Sequence, residues 1–281
     1  MNKQEKDFRL ILSKLYKMYG LDFSKYREGT IRRRLARRMA FTGAGNYQDY
    51  LDILEERPQE YGHLLRDLTI KSSRFFRNQY VFERLQNEIF PDLFRQKKEE
   101  GKDVLRIWCA GCAFGEETYS VAITLVEYLK RKSEKAGDYD ITIFGTDIDE
   151  EALGKARLGL YEKEVVKVVK KRILDEYFLV REDHYQVINS IKFLVSFTTH
   201  DLISEKYISP PAGVVTNYDL ILCRNTLIYF SIPLQERAFS NLFTSLNRGG
   251  YLILGRSESI PKDLKGSFVL KNRKERIFQK E

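Results

Sequence analysis

From about residue 103 onward, short apolar, β-prone runs alternate with longer segments of helical periodicity. Strands that are separated by helices need crossover connections, which place parallel strands side by side and cover both faces of the sheet with helices. The alternation therefore predicts a doubly wound α/β domain with a mainly parallel sheet. The predicted elements are strands 104–108, 141–144, 218–223 and 251–254, and helices 116–132, 150–157 and 234–246.

The first part of the chain has a different pattern. Residues 1–85 show helical periodicity without strand-like alternation, so we predict a helical domain over 1–85 and the α/β domain over 86–281. One helix is predicted from an N-cap at Thr30 to Met39, and a second over 47–56. These two helices would belong to a separate N-terminal domain.

Basic residues are concentrated in this N-terminal segment. Residues 1–40 hold 12 Lys and Arg against 4 Asp and Glu, a local excess that equals the net charge of +8 of the whole chain. Five arginines within seven residues favour an acidic partner over the ordinary alternative of a solvated helix face. Nucleic acid, an anionic membrane or an acidic protein would each satisfy this charge. The arginines are Arg32, Arg33, Arg34, Arg37 and Arg38.

One stretch interrupts the strand–helix alternation. Between about residues 177 and 197, the β-prone runs 177–180, 185–188 and 191–195 are separated only by brief polar turns. Closely spaced strands of this kind indicate antiparallel pairing. We therefore predict a small antiparallel β insertion.

Signals for other classes of protein are missing from the sequence. The first seven residues contain no apolar core and no small-residue cleavage site, which argues against a secretory signal. No apolar run approaches the ~18–20 residues that cross a bilayer. We expect a cytoplasmic protein without membrane insertion.

The three cysteines do not predict a metal site. Cys109 and Cys112 form a C-x-x-C pair, but no second pair of Cys or His stands at a matching spacing, and a structural zinc site needs about four ligands. We expect no metal, and reduced thiols packed as small residues.

The turn after the first predicted strand has the composition of a ligand-binding loop. Gly111 and Gly115 would allow a ligand close to the backbone, and their G-x-x-x-G spacing differs from the dinucleotide pattern G-x-G-x-x-G. Glu116 and Glu117 follow at once, where a pyrophosphate would need positive charge. The loop fits a cationic ligand without phosphate, such as S-adenosyl-L-methionine.

Two acids follow the second predicted strand. A carboxylate at this position, Asp147 or Asp149, can accept hydrogen bonds from both ribose hydroxyls of a nucleoside. A glycine-rich turn followed by an acid is weak by itself, because tight turns with capping carboxylates give the same pattern.

Four motifs in order along the chain are much more specific than these single features. Together they resemble the CheR-type chemotaxis receptor methyltransferases, and the resemblance spans nearly the whole chain. The motifs are Ser73-Arg74-Phe75-Phe76-Arg77, Cys109-Ala110-Gly111-Cys112-Ala113-Phe114-Gly115-Glu116-Glu117-Thr118-Tyr119-Ser120, Gly145-Thr146-Asp147-Ile148-Asp149 and Cys223-Arg224-Asn225-Thr226-Leu227-Ile228-Tyr229-Phe230.

The resemblance implies a fold, a reaction and a set of site residues. The fold would be a class I methyltransferase domain behind a helical N-terminal domain, and the reaction would be methyl transfer from S-adenosyl-L-methionine to receptor glutamates, leaving S-adenosylhomocysteine. Tyr229 would lie beside the reacting methyl group, and we expect Arg77 to hold the incoming carboxylate bidentately. The implied cofactor contacts are Lys71, Ser73, Arg77, Glu117, Asp147, Asp201, Leu202, Arg224 and Asn225.

The chain departs from the family pattern at three of these contacts. Lys71 and Asp201 stand where the family has Asn, and Ser73 stands where it has Thr. The serine keeps the hydroxyl, whereas the aspartate is limited to accepting hydrogen bonds.

The partner and the competing functions follow from the same resemblance. Because receptor cytoplasmic bundles are acidic helices, we expect the five arginines to dock on such a bundle. An S-adenosylmethionine enzyme acting on RNA is an alternative, but the sequence has no aromatic-rich basic stripe and no Asn-Pro-Pro-Tyr-like site, so no nucleic acid is expected. A non-catalytic cofactor-binding signalling module on the same fold is the other alternative.

Overall fold

The computed structural model describes residues 2–19, 22–68, 73–210 and 217–281. The chain forms two compact units. The first contains residues 1–71 and 229–235, and the second contains residues 72–228 and 236–281. The boundary at about residue 85 that the sequence predicts differs from this division, because Phe75, Phe82 and Leu85 are packed in the core of the second unit.

The first unit is helical. Its core is built from apolar side chains that recur on one face of each helix, with Ile11, Leu35, Tyr50 and Leu64 fully buried. The helices are α1 (Lys3–Tyr19), α2 (Glu28–Thr42), α3 (Tyr47–Glu56) and α4 (Glu60–Leu68).

Helix α2 carries the arginine run, and it begins earlier than predicted. Its N-cap is Arg27, so Thr30 lies inside the helix and does not cap it. The predicted buried stripe of Ile31, Leu35 and Met39 is confirmed. Gly43, at φ +80°, ends the helix in the left-handed conformation that favours glycine.

The second unit is an α/β domain. Its helices are α5 (Gln79–Arg84), which continues through a π-turn at Leu85–Ile89, α6 (Phe90–Glu99), α7 (Glu116–Arg131), α8 (Glu150–Leu158), α9 (Lys163–Val166), α10 (Lys171–Tyr177), α11 (Asn189–Lys192) and α12 (Ile232–Ser245), whose first residues group with the helical unit. Its strands are β1 (Val104–Ala110), β2 (Asp140–Asp147), β3 (Leu160–Glu162), β4 (Phe178–Arg181), β5 (His184–Val187), β6 (Val195–Thr199), β7 (Tyr218–Cys223), β8 (Leu246–Leu254), β9 (Phe268–Asn272) and β10 (Ile277–Lys280).

The main sheet has seven strands in the order β6-β2-β1-β7-β8-β10-β9. The first five of these strands are parallel, as predicted, and β10 and β9 are antiparallel additions that the strand–helix pattern did not predict. The chain winds outward from β1 in one direction and from β7 in the other. The topological switch point therefore lies between the ends of β1 and β7, where doubly wound sheets bind ligands.

Strand β8 begins at Leu246, before the predicted start of the strand at residue 251. Leu246 already pairs with Tyr218, and the register then shifts so that Tyr251 pairs with Leu220. Residues 247–250 form a bulge within the strand, with Gly249 at φ +75°.

The small antiparallel sheet has the order β3-β5-β4. The hairpin of β4 and β5 corresponds to the first two predicted runs, but the third strand comes from Leu160–Glu162. The predicted run 191–195 is not part of this sheet. Its residues lie at the end of α11 and the start of β6, which pairs with β2 in the main sheet.

Among the described residues, no helix has both the length and the apolar character that spanning a bilayer requires.

Candidate functional site

The turns that follow β1 and β7 meet at the switch point. Gly111 has φ +73°, and a Cβ on this residue would lie 2.3 Å from Oγ1 of Thr226 in the turn after β7. Only glycine allows this approach. The two turns are therefore held directly against each other.

Gly115, the N-cap of α7, is also required by packing. At φ +88°, its missing Cβ would lie 2.8 Å from Cζ of Phe197 and 2.9 Å from Cβ of Ala156. The sequence interpretation that the glycines leave room for a ligand is thus corrected: at Gly111 and Gly115 the space is taken by neighbouring protein.

Asp147 ends β2 and organises the loop after β1. Its Oδ2 accepts the backbone N–H of Ala113 at 2.9 Å, and its Oδ1 accepts that of Asp149 at 3.1 Å. Burial raises the pKa of this carboxyl, while the backbone donors oppose the shift. Because an ionised carboxylate has about four acceptor sites, both oxygens can still accept ligand hydroxyls.

Asp149 has a different task from Asp147. It is the N-cap of α8, and its Oδ1 accepts the N–H of Ala152 at 3.0 Å. Asp149 is therefore a carboxylate that caps a helix, which is the alternative to ligand binding named in the sequence analysis above.

Three predicted site residues from distant parts of the chain are directly connected. The guanidinium of Arg224 forms an ion pair with Glu117, and its Nη2 donates to the carbonyl of Arg77 at 2.8 Å. Both charged side chains of the ion pair are largely shielded from water, which strengthens the pairing. The structure thus places the Arg77 loop, the start of α7 and the end of β7 at one point.

The loop that carries Arg77 has an unusual backbone. Phe76 and Asn78, on either side of Arg77, have φ of +50° and +63°. The N–H of Phe76 donates to Oγ of Ser120 at 2.9 Å, and Asn78 is hydrogen-bonded to Glu275. Left-handed conformations of non-glycine residues persist where the surroundings fix them, and they are typical of functional loops.

Glu116 is a buried acid beside this network. The residue is 4% exposed, and its Oε2 has no hydrogen-bond partner among the described residues. Burial raises the pKa of its carboxyl. An unpartnered buried carboxylate oxygen next to Glu117 favours a ligand that brings positive charge or hydrogen-bond donors.

Asn225 follows β7 with φ +60°, and its backbone N–H donates to Glu258 at 2.9 Å. Glu258 is buried and lies in the turn after β8. The sequence analysis did not identify this residue. Its only signal is a carboxylate placed shortly after a buried strand and the glycine Gly255.

Four predicted cofactor contacts remain: Asp201, Leu202, Ser73 and Lys71. Oδ1 of Asp201 accepts the N–H of Ile203 at 3.0 Å, and the side chain of Leu202 is buried while its carbonyl accepts Nδ2 of Asn241. Ser73 is half-buried. Lys71 lies outside the described residues.

Tyr229 belongs to the helical unit. Its carbonyl accepts the N–H of Arg27 at 3.1 Å, and the guanidinium carbon of Arg34 lies 5.8 Å from the centre of its ring. Nη1 of Arg34 also donates to the carbonyls of Asp67 and Leu68 at the end of α4.

Two further arginines of α2 are engaged inside the helical unit. Arg38 binds Glu60 through two hydrogen bonds of 2.6 and 2.7 Å, in a pair that is nearly shielded from water. Arg32 pairs with Glu5 and Glu28. Together with Arg34, these residues stabilise the packing of the helices, so the prediction that all five arginines face a partner is corrected.

Arg33 and Arg37 differ from these three. Both are exposed, and neither forms an ion pair in the part of the chain that the structure describes. They lie four residues apart and so share one face of α2.

The cysteines are buried free thiols, and burial raises the pKa of each. Over the described ranges, no group of three or more His, Cys, Asp and Glu side chains is arranged to hold a metal ion.

Comparison with known proteins gives two family matches. Residues 71–276 match the CheR methyltransferase SAM binding domain, and residues 6–69 match the CheR methyltransferase all-alpha domain. The chemotaxis protein methyltransferase of Listeria innocua is 29% identical over 256 residues, which cover 91% of each chain. The chemotaxis protein methyltransferase 2 of Vibrio cholerae is 30% identical over 259 residues, 91% of this chain and 86% of that one.

A third relative is much longer. An uncharacterised 104.1 kDa protein of Rhodobacter capsulatus is 32% identical over 260 residues, which are 92% of this chain and 26% of the relative.

Proposed function

Because the chain belongs to the CheR methyltransferase family, we propose that it transfers the methyl group of S-adenosyl-L-methionine to glutamate carboxylates of chemotaxis-type receptors. The chain contains the family's cofactor-binding domain, so it is an S-adenosylmethionine-dependent methyltransferase. The acceptor is proposed to be a glutamate side chain, because Arg77, whose backbone is bound by Arg224 beside Glu117, is a residue that can bind a carboxylate. With the cytoplasmic bundle of a receptor as its substrate, the reaction is proposed to take place in the cytoplasm.

The residues at the switch point fit the cofactor. Asp147 has acceptor sites left for two ribose hydroxyls, and Glu116 has an unpartnered buried oxygen. Glu117 uses one oxygen for Arg224 and keeps the other for a donor. When bound, the cofactor supplies an electrophilic methyl group on a positively charged sulfur, and these acids would favour that charge.

The acceptor needs no general base. A glutamate carboxylate has an unperturbed pKa of about 4.3 and is already ionised near pH 7. The protein therefore has to position and desolvate the nucleophile, and orientation effects can supply roughly 7–11 kcal/mol. We assign this role to Arg77, whose guanidinium can hold a carboxylate bidentately and whose backbone is fixed by Arg224.

Tyr229 is proposed to present its ring to the sulfonium, an interaction worth ~0.5–2 kcal/mol. Arg34 beside the ring and the Arg27 N–H at its carbonyl fix the position of Tyr229 in the helical unit. The first contact would restrict the motion of the ring, and the second that of the backbone.

The helical unit is proposed to dock the receptor through Arg33 and Arg37. These side chains are exposed and without ion pairs among the described residues, so docking breaks no existing salt bridge. Arg32, Arg34 and Arg38 are already engaged, so they support the docking helix from within. An acidic helical bundle offers the complementary charge.

The reaction is tested by transfer of a tritiated methyl group from S-adenosyl-L-methionine to a purified receptor fragment or to RNA. We expect label on the receptor, and its release in alkali, because carboxyl methyl esters hydrolyse in base. Label on RNA, or label on the receptor that persists in alkali, would contradict the proposal. Cofactor binding without any transfer would identify a non-catalytic signalling module.

The role of Arg77 is tested by Arg77→Ala with Arg74→Ala as its matched control, an exposed arginine in the same segment. We expect Arg77→Ala to lower kcat/KM for the receptor about 100-fold, because a misplaced nucleophile loses the benefit of orientation. Arg74→Ala should retain nearly the wild-type rate. Equal rates for both variants would remove Arg77 from the mechanism.

A further inference from the structure

The turn after β8 contains a carboxylate that is surrounded by backbone donors. Glu258 is 4% exposed. Its Oε2 accepts the N–H of Gly255 at 2.6 Å and of Asn225 at 2.9 Å. Its Oε1 accepts the N–H of Leu227 at 2.8 Å and of Ile228 at 3.3 Å. Three of the four donors belong to the turn after β7.

We infer that Glu258 is a positioning residue that holds the turn 225–228 in the conformation required for cofactor binding. The inference rests on the proposed function, because it concerns how the proposed contact Asn225 is held. Glu258 acts through this backbone, and we assign it no contact with cofactor or substrate.

The backbone of the turn needs an external support. Asn225 has φ +60°, and a non-glycine residue in a sparsely populated region costs on the order of 1–3 kcal/mol. Neither a helix nor the ladder of the sheet uses the N–H groups of residues 225 and 227, since β7 ends at Cys223. The carboxylate of Glu258 supplies the acceptors that these groups need.

Gly255 makes the close approach possible. A Cβ at this position would lie 2.7 Å from Oε2 of Glu258 and 2.8 Å from the backbone N of Asn225. Gly255 and Glu258 therefore form one unit, with the glycine leaving the space that the carboxylate and the turn share.

The same turn also holds the Arg77 loop. Nη2 of Arg256 donates to Oδ1 of Asn78 at 2.8 Å and to Oε1 of Glu275 at 2.9 Å. Residues 255–258 thus contact two of the loops that carry proposed site residues, the turn after β7 and the Arg77 loop. A substitution in this turn would therefore alter the positions of Arg77 and Asn225 without replacing either residue.

A carboxylate suits this position better than an amide. All four partners are donors, and an ionised carboxylate only accepts hydrogen bonds, whereas the amide of glutamine would direct its own N–H groups at two of them. Glu258→Gln keeps the shape of the side chain and removes half of its acceptors. It is therefore the informative substitution.

The matched control is Asp219→Asn, at the opposite end of β7. Asp219 is also 4% exposed, and it accepts the N–H of Arg106 at 2.9 Å, Nδ2 of Asn247 at 2.7 Å and the ammonium of Lys97 at 2.7 Å. The two variants lose comparable buried hydrogen bonds, so both should lower the free energy of unfolding. They differ in which end of the strand is disturbed.

The experiment measures the Kd for S-adenosylhomocysteine by calorimetry, and kcat and KM for methyl transfer, at a temperature where each variant is folded. We expect Glu258→Gln to raise Kd and the cofactor KM at least about tenfold. Asp219→Asn should remain within about twofold of the wild-type Kd, as expected for a change remote from the site.

The outcomes separate this inference from the proposed function. A wild-type chain that binds no S-adenosylhomocysteine would refute the proposed function itself. A wild-type chain that binds it, together with wild-type Kd and KM in Glu258→Gln, would overturn the positioning role. Equal losses of affinity in both variants would also overturn it, because the effect would then follow stability alone.

Glu258→Asp decides the question if the glutamine variant does not fold. Aspartate keeps the charge but is one methylene shorter, so it cannot reach all four donors. We expect the Kd of Glu258→Asp for S-adenosylhomocysteine to be higher than that of the wild type, because only part of the interaction is kept. A wild-type Kd in Glu258→Asp would contradict the inference.

Discussion

At the scale of single residues, Glu116 shows most clearly that a binding site can lower the stability of the ligand-free fold. Its side chain is buried with one oxygen unpartnered among the described residues, and burial raises its carboxyl pKa above the ordinary value of 4.5. Such a group destabilises the folded chain when it ionises. A cationic ligand would relieve this cost, which couples ligand binding to folding.

The substitution Glu116→Gln tests this through the pH dependence of stability. Well below the ordinary glutamate pKa of about 4.3, the carboxyl is protonated in both states. As pH rises, the unfolded chain releases its proton first, so the wild type loses stability until pH passes the raised pKa of the folded state. The glutamine variant cannot undergo this loss. The stability of Glu116→Gln relative to wild type should therefore increase with pH and then level off.

Urea unfolding of the ligand-free chain between pH 4.5 and 8 measures this difference. Glu99→Gln, at an exposed glutamate of α6, serves as the control and should show a stability difference that is nearly independent of pH. A pH-independent difference for Glu116→Gln as well would show that the carboxyl does not carry the proposed electrostatic cost.

At the scale of elements, the arginines of helix α2 have two different roles. Arg38 is held by Glu60 and Arg32 by Glu5 and Glu28, whereas Arg33 and Arg37 are exposed on a common face. Removing one partner of a buried ion pair leaves an uncompensated charge. Only the exposed pair can therefore be reversed without disturbing the helix packing.

We expect the double substitution Arg33→Glu and Arg37→Glu to weaken receptor methylation about tenfold or more by raising the receptor KM, because charge attraction is replaced by repulsion. The methylation rate should also lose most of its dependence on salt. The Kd for S-adenosylhomocysteine should stay unchanged. The control is Lys6→Glu with Lys17→Glu, which makes the same change in net charge at exposed positions of α1. A drop in cofactor affinity equal to the drop in methylation would refute the docking role.

The elements were largely predictable from sequence, and their partners were not. Strand β7 and helix α3 lie at their predicted bounds, because periodicity and Gly/Asn turn signals are local. Strands β9 and β10 were missed, since their short runs of mixed polarity acquire strand structure only by pairing, β10 with β8 and β9 with β10. Likewise, the arginine pattern showed which residues lie outside the buried stripe of α2. It could not show that Glu60 of α4 binds Arg38 and that Glu5 of α1 joins Glu28 in binding Arg32.

The same limit applies to the site. The motif resemblance identified Arg77, Glu117 and Arg224 as site residues, and the structure connects them. Glu258 could not be found in this way, because its partners are backbone N–H groups that carry no side-chain signal and lie about 30 residues away in sequence. The glycines were identified but misinterpreted, since only the fold shows that Thr226 and Phe197 occupy the space beside them.

At the scale of the whole molecule, the two units offer separate probes. The single tryptophan, Trp108, is fully buried on β1 in the second unit, so its fluorescence reports the α/β unit. Helical circular dichroism reports both units. The stability of each unit can therefore be followed in the intact chain.

We expect S-adenosylhomocysteine to raise the thermal transition seen by tryptophan fluorescence. A ligand at 100 times its Kd stabilises the unit that binds it by about 2.7 kcal/mol. Adenosine at equal concentration, which lacks the amino acid part, should give a smaller shift. An unchanged fluorescence transition with S-adenosylhomocysteine would contradict a cofactor site in the second unit.

Residues 229–235 group with the helical unit although they interrupt the sequence of the α/β unit, so the polypeptide passes between the two units three times. Tyr26 pairs with Phe230, and Ser231 donates to the carbonyl of Lys25, within this grouping. A gene that exchanged the codons for residues 1–71 with those of a distant relative would bring in helices that are not matched to the original residues 229–235. The two segments of the helical unit, residues 1–71 and 229–235, therefore have to be exchanged together if a recombinant chain is to keep this unit matched.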